Sequence, residues 1–218
     1  MPHMKPACSM PRFAFTAALL CALAGTAHAA GADYRIDPVH TQVLVCVSHL
    51  GYTHPCGRLR VQSGFFHFDA DDWSSATLDV TLDSASLDMG DAAWSDKVRS
   101  AFLDASRFPT ARYSAKRAEK AAEKGGVVHG ALTLLGRTQP VDLAVTFNRA
   151  ARDGYTLKYI AGFSAHATLK RSAFGMTRDI PDVGDEVEVR IEAEGLRDKD
   201  AAVQSENADA DKPADKQQ

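Results

Sequence analysis

The sequence predicts an all-β protein, an antiparallel β-barrel of about eight strands with one short helix, and three observations carry that reading. Apolar residues alternate with polar ones along most of the chain, as they do in half-buried antiparallel strands. Helical periodicity is confined to one short stretch, with none of the alternating strand and helix rhythm of a parallel sheet. One alternating row, Tyr155 to Leu169, is about 50 Å long if straight, so it must curl, and a closed barrel accommodates that better than a flat sandwich.

Residues 1–29 precede the domain. Lys5 and Arg12 give a basic start, Phe13–Ala24 an apolar run, and Ala27-His28-Ala29 a small-x-small cleavage site, which together read as a cleaved signal peptide. The apolar run falls short of the roughly 20 residues that span a bilayer, so stable membrane insertion is not expected. Bulky Leu19-Leu20 before Cys21 disfavours lipid attachment there. Cleavage takes two positive charges from a net charge of −3, leaving −5. A mildly acidic exported chain without a basic stripe is not a nucleic-acid binder. About 190 residues remain, enough for one domain with its own core.

The domain is read as 30–195. Thr41–His49 places Val43, Val45 and Val47 on one face, and pairs as a hairpin with Gly57–Val61. The register that sets Val43 opposite Leu59 also sets Cys46 opposite Cys56, which in an exported chain predicts a disulfide across the hairpin. Leu59 and Val61 are odd-numbered but Phe66 and Phe68 are even-numbered, so a β-bulge is expected at Gly64. Ala76–Leu82 alternates Leu78, Val80 and Leu82 with polar residues. Asp91–Ala101 suits a short helix after Gly90, followed by Phe102, Leu103, Phe108 and a closing Pro109. Ala115–Gly126, rich in Lys, Glu and Ala, reads as a solvated connection.

Gly130–Leu143 reads as a hairpin turning at Gly136–Gln139, with Leu134 opposite Val141, Leu132 opposite Leu143, Val128 opposite Phe147, and Pro140 at a strand start. Tyr155–Leu169 aligns Leu157, Tyr159, Ala161, Phe163, Ala165, Ala167 and Leu169 on one face. Glu186–Glu192 sets Val187, Val189 and Ile191 against Glu188 and Arg190. From 196 to 218 the chain is charged and almost free of apolar residues, and is expected to be a disordered tail.

No catalytic residues are assigned, because no GxSxG elbow or ordered nucleophile and base appears around Ser48-His49 or elsewhere. Asp69-Ala70-Asp71-Asp72 lacks the Gly and terminal Glu of an EF-hand loop and reads as a solvated turn. His40, His49 and His54 with Cys46 and Cys56 contain enough soft donors for a metal, but no CxxC, HxH or HExxH spacing, so no metal site is assigned. Arg171 and Arg178 either meet an anionic headgroup or pair with Asp179 or Asp182, and pairing is favoured.

Tyr34-Arg35-Ile36-Asp37-Pro38 with His40-Thr41, then His49-Leu50-Gly51, Gly57-Arg58, Ser86-Leu87-Asp88, Val98-Arg99-Ser100, Phe102-Leu103-Asp104 and Phe108-Pro109 form an ordered series of short motifs. With Gly130–Leu143, Gly162-Phe163 and Arg171–Met176, the series resembles the YceI-like family of exported lipid-binding proteins from about Tyr34 to Glu194. The chain departs from that pattern at Trp94-Ser95-Asp96, at Leu59, and in having Cys46 and Cys56. The resemblance implies a lipocalin-like barrel, a periplasmic location, no catalysis and no cofactor beyond a bound isoprenoid lipid.

On that basis the candidate tunnel lining is Val43, Val45, Val47, Phe66, Phe68, Leu132, Leu134 and Phe163, with Phe102 and Phe108 near an opening. The alternative for these residues is a small filled barrel whose side chains pack on each other. The partners expected are a long-chain isoprenoid or related lipid and a second copy of the chain in a homodimer. A metal- or redox-responsive protein built on Cys46, Cys56 and the nearby histidines is the competing reading.

Overall fold

The computed structural model describes residues 31–201; the expected signal peptide and residues 202–218 of the expected tail lie outside the described residues. The strands are β1 (Ala32–Ile36), β2 (Gln42–His49), β3 (Cys56–Phe68), β4 (Thr77–Asp88), β5 (Thr110–Lys120), β6 (Gly125–Leu134), β7 (Arg137–Arg152), β8 (Tyr159–Lys170) and β9 (Val183–Arg197). Helix α1 (Ala92–Ala101) lies between β4 and β5, and 3-10 turns occupy Trp73–Ser75 and Arg171–Phe174.

Every pairing is antiparallel, in the order β1-β3-β2-β9-β8-β7-β6-β5-β4, and β3 pairs with β4 to close the sheet. Both β1 and β2 lie between β3 and β9. β1 pairs with 65–68 of β3 and 195–197 of β9, while β2 pairs with 56–59 of β3 and 183–192 of β9. They are two halves of one stave interrupted at 37–41, so nine strands build an eight-stave barrel. At eight staves a barrel interior is wide enough for packed side chains or one small ligand.

The barrel has two unlike ends. One carries α1, the turn between β2 and β3, the turn between β6 and β7, and the loop 171–182; the other carries the 3-10 turn at Trp73 and the turns after β5 and β7. Asp91 caps α1 by accepting from the Trp94 amide, and Arg99 in its last turn donates to the Leu87 carbonyl, which anchors the helix to β4. The outer face is charged, with Glu188, Arg190 and Glu192 exposed along β9. This is the reverse of a membrane-spanning barrel, whose outer band is apolar. Among the described residues no helix is long and apolar enough to cross a membrane.

Several strand details differ from the sequence expectation. The β6–β7 hairpin turns at Leu135 and Gly136, whose φ values are 51° and 71°, so Leu134 pairs with Arg137, Leu132 with Gln139 and Val128 with Leu143. A two-residue turn of this mirror type matches strand twist, and a hydroxyl bond of 2.9 Å between Thr133 and Thr138 supports it. The register moves by an even number of residues, so every side chain keeps its face. Pro140 lies inside β7, in the part that pairs with β6 alone, where its missing N–H breaks no ladder to β8.

The bulge in β3 falls between Val61 and Ser63 rather than at Gly64. Ala115–Gly126 is not a connection: β5 runs to Lys120, and a bulge between Ala115 and Arg117 turns both Ala115 and Ala118 inward, which masks the alternation. β8 begins at Tyr159, because Tyr155 and Leu157 sit in the turn after β7, with Leu157 at φ 58°. Leu196 and Arg197 belong to β9 and pair with β8 and β1, two residues into the segment read as tail.

Candidate functional site

The inward rows of the eight staves do not meet across the barrel. They enclose a cavity of about 790 Å³ that runs from the aromatic residues at the Trp73 end to α1 at the other. Val45, Val47, Leu78, Val80, Leu82, Leu132, Leu134, Val145, Val187, Val189 and Ile191 all line it and are only half-buried, because they face this space.

The Trp73 end is sealed. Tyr34 stacks on Phe66 at 4.9 Å, Phe163 meets the edges of Phe66 and Phe68 at 5.4 and 4.9 Å, and Phe68 packs on Trp73 at 5.4 Å and Phe147 at 5.1 Å. Offset and edge-to-face pairs of this kind add to simple area burial. Phe66 reaches its place because Gly195 lies beneath it, where a Cβ would come within 2.3 Å of the ring.

The α1 end is more polar and, because lining side chains such as His49, Trp94, Lys97 and Asp179 are exposed there, it is the open end. His49, Trp94, Lys97, Arg171, Met176 and Asp179 contribute to the wall there. His49 and Trp94 meet at a ring separation of 6.3 Å. Arg171 is only 2% exposed, and three of its five N–H donors are taken by the protein: Nε, Nη1 and Nη2 donate to the carbonyls of Gly184, Met176 and Val183 at 2.7, 2.8 and 2.6 Å. Its guanidinium lies 5.6 Å over the Phe102 ring, and burial pushes its pKa down. It clasps the loop 171–182 to the start of β9. Arg178 lies 3.7 Å from Asp179, the pairing the sequence favoured. Asp185 accepts from the amide and hydroxyl of Ser172, both at 2.8 Å, and these bonds hold its carboxyl below the usual carboxylate range.

In mid-barrel the Tyr113 hydroxyl donates to Val141 O at 2.9 Å and lies 3.2 Å from Val128 O, and burial raises its pKa well above the usual value. A neutral hydroxyl satisfied by the wall adds no charge to the lumen.

Nine of the ten side chains predicted from sequence to line a tunnel do lie in this wall: Val43, Val45, Val47, Phe66, Phe68, Phe102, Leu132, Leu134 and Phe163. Phe108 does not. It packs beneath the Gly136 turn, with the Arg107 guanidinium 5.1 Å over its ring, because the chain leaving α1 turns outward at Asp104 before entering β5. Sequence reasoning missed Tyr113, which the alternation Ala111, Tyr113, Ala115 could have found, Ala118, which lies past the bulge in β5, and Trp73, whose isolated position carries no period.

Cys46 and Cys56 face each other in register and are joined by a disulfide. His40 and His49 flank opposite ends of β2, and His40 Nδ1 pairs with Asp37 at 2.9 Å, so the soft donors named from sequence do not converge. Among the described residues no group of three or more His, Cys, Asp or Glu is placed to hold a metal ion.

A closed antiparallel barrel with an apolar lumen, sealed at one end and open at the other, defines the class: a lipocalin-like barrel. The YceI-like domain model matches residues 34–195, so the chain belongs to the YceI-like family. A UPF0312 protein of Ectopseudomonas mendocina is 36% identical over 172 residues, 78% of this chain and 90% of the relative. One from Azotobacter vinelandii is 35% identical over 83% of this chain and 95% of its own length. Among solved structures, BcnA of Burkholderia cenocepacia superposes with a TM-score of 0.64 at 23% identity, over 73% of this chain and 98% of that one. A polyisoprenoid binding domain from Saccharophagus degradans, implicated in plant cell wall breakdown, superposes with a TM-score of 0.56 at 12% identity, over 76% of this chain and 98% of that one. At these identities the two structures speak for the fold alone.

Proposed function

We propose that the protein is a binding and carrier protein that holds one long-chain isoprenoid lipid, polyprenyl or quinone-like, in its lumen. The observation that carries this reading is the 790 Å³ cavity walled by inward aliphatic and aromatic rows. Burying apolar chain surface is worth about 25 cal/mol per Å², so a flexible hydrocarbon binds such a wall without precise polar contacts. The aromatic seal at the Trp73 end and the open, more polar α1 end support tail-first entry, with the head of the lipid left near His49 and Lys97. Membership of the YceI-like family points the same way.

The sequence pattern of residues 1–29 and the Cys46–Cys56 disulfide support export to an oxidising compartment, the periplasm. The role proposed is binding, in keeping with a wall made mostly of aliphatic and aromatic side chains.

Organic extraction of freshly purified protein, followed by mass spectrometry, tests the reading. About one long-chain isoprenoid per chain is expected. Repeated preparations without lipid, and failure to take up an added prenyl alcohol, would overturn it.

A further inference from the structure

The rim of the open end carries a feature that the lumen does not explain. Three segments distant in sequence each place a large apolar side chain there in water. The turn between β2 and β3 exposes Leu50 to 51% and Tyr52 to 85%, α1 exposes Trp94, and the loop 171–182 exposes Ile180. The segments are fastened together: the Leu50 amide donates to Asp182 O at 2.6 Å, and His49 meets Trp94. Trp94 belongs both to the rim and to the lumen wall, so one apolar surface runs from inside the barrel out onto its edge.

The turn is built to hold its tip outward. Leu50 has φ 54° and Gly51 φ 71°, an unfavourable conformation for a leucine. The turn is locked by amide bonds from His49 to Thr53 O and from Tyr52 to His49 O. The disulfide joins the two strands a few residues below. It braces this projection at its base.

We propose that this rim is a membrane-docking collar, which rests on a lipid bilayer surface so that a chain passes between bilayer and lumen without crossing water. The inference rests on the lipid-binding reading for its purpose. The occupant is a bilayer because the surface is continuous with a lumen suited to hydrocarbon, and because Trp and Tyr are side chains that settle at the boundary of headgroups and acyl chains. Attraction to anionic headgroups is not the driving force. Asp91, Asp96, Asp179 and Asp182 lie on the rim segments with Lys97 and Arg178, and the whole chain has net charge −3. A few partly inserted side chains give weak, reversible attachment, as a single acyl anchor does.

The opposite end supplies the control. Tyr155 is 98% exposed and Leu157 is also exposed, yet the lumen behind them is sealed by aromatic rings.

The test is flotation of the full, exported protein with phosphatidylcholine vesicles free of prenyl lipid. Three proteins are compared: the natural chain, Leu50→Asn/Tyr52→Ser/Ile180→Ser, and Tyr155→Ser/Leu157→Ser. None of these residues lines the lumen, and Asn tolerates the positive φ of position 50. The natural chain and the Tyr155/Leu157 variant should float equally, at low and at molar salt, and the rim variant should bind about tenfold more weakly.

Equal flotation of the rim variant, equal loss in the control, binding only to anionic vesicles and abolished by salt, or capture of a protein partner without vesicle binding would each overturn the proposal. If the triple variant does not fold, judged by circular dichroism, Tyr52→Ser alone is compared by the same criteria. The two readings fail separately, because extraction reports lumen occupancy while flotation reports docking.

Discussion

Filling the lumen at its middle should abolish lipid uptake while leaving the barrel stable. Ala165 lies on β8 between Val145 of β7 and Ile191 of β9, and all three line the cavity. Ala165→Trp places an indole across the path of a bound chain. An aromatic side chain covers on the order of 150–250 Å², and at about 25 cal/mol per Å² this is roughly 4–6 kcal/mol of lost ligand burial. That corresponds to three or four decades of affinity at about 1.4 kcal/mol per decade. A flexible ligand that withdraws toward the mouth recovers part of it, so a loss of at least about a hundredfold is expected. If the interior were instead a filled core, the same substitution would overpack it and cost about 1–3 kcal/mol or more. Two measurements separate these cases: titration with a fluorescent prenyl alcohol, and urea unfolding followed by circular dichroism. Unfolding free energy should change by less than about 1 kcal/mol. A clear destabilisation, or affinity within a factor of about ten of the natural protein, would refute the open-lumen reasoning.

Arg171→Leu should destabilise the protein by about 3–5 kcal/mol in urea unfolding, because three carbonyls lose charged donors in a buried place. A loss below about 1 kcal/mol would show that the loop does not depend on this clasp. Replacing Cys46 and Cys56 by Ser, which opens a link ten residues apart in sequence, should cost about 2–3 kcal/mol; alkylation of the unreduced mature protein, freed of residues 1–29 with Cys8 and Cys21, should leave its mass unchanged. Tyr113 has a folded-state pKa raised above the ordinary 10.0 by burial, so its contribution is complete below that value and is lost as pH rises above it toward the folded pKa. Unfolding free energy should therefore fall more steeply above pH 10.0 in the natural protein than in Tyr113→Phe, and equal alkaline slopes would count against the assignment.

Much of the barrel wall was legible as alternation, because a side-chain period of two in a half-buried sheet reports which residues face inward whatever the pairing partner. Val43, Val45 and Val47, and the row from Ala161 to Leu169, were identifiable on that ground alone. The same logic placed Cys46 opposite Cys56, since one apolar pairing, Val43 with Leu59, defines that short hairpin. Alternation failed where the backbone inserted an extra residue. The bulge in β5 disguised the end of a strand as a connection and hid Ala118, and the one in β3 lay just ahead of the glycine that suggested it. In the β6–β7 hairpin, matching apolar partners chose a register four residues from the true one, because turn conformation outweighed cross-strand pairing.

By itself, then, the sequence determined the antiparallel all-β class, the inward rows and the cysteine pair, because these depend on local period and short-range register. Only the tertiary structure decided that the inward rows stand apart around a cavity, that Phe108 leaves the wall, and that Arg171 is consumed by carbonyls. It also brought Leu50, Tyr52, Trp94 and Ile180 onto one rim. Those outcomes depend on the radius and closure of eight staves and on contacts between segments far apart in the chain, which no local pattern encodes.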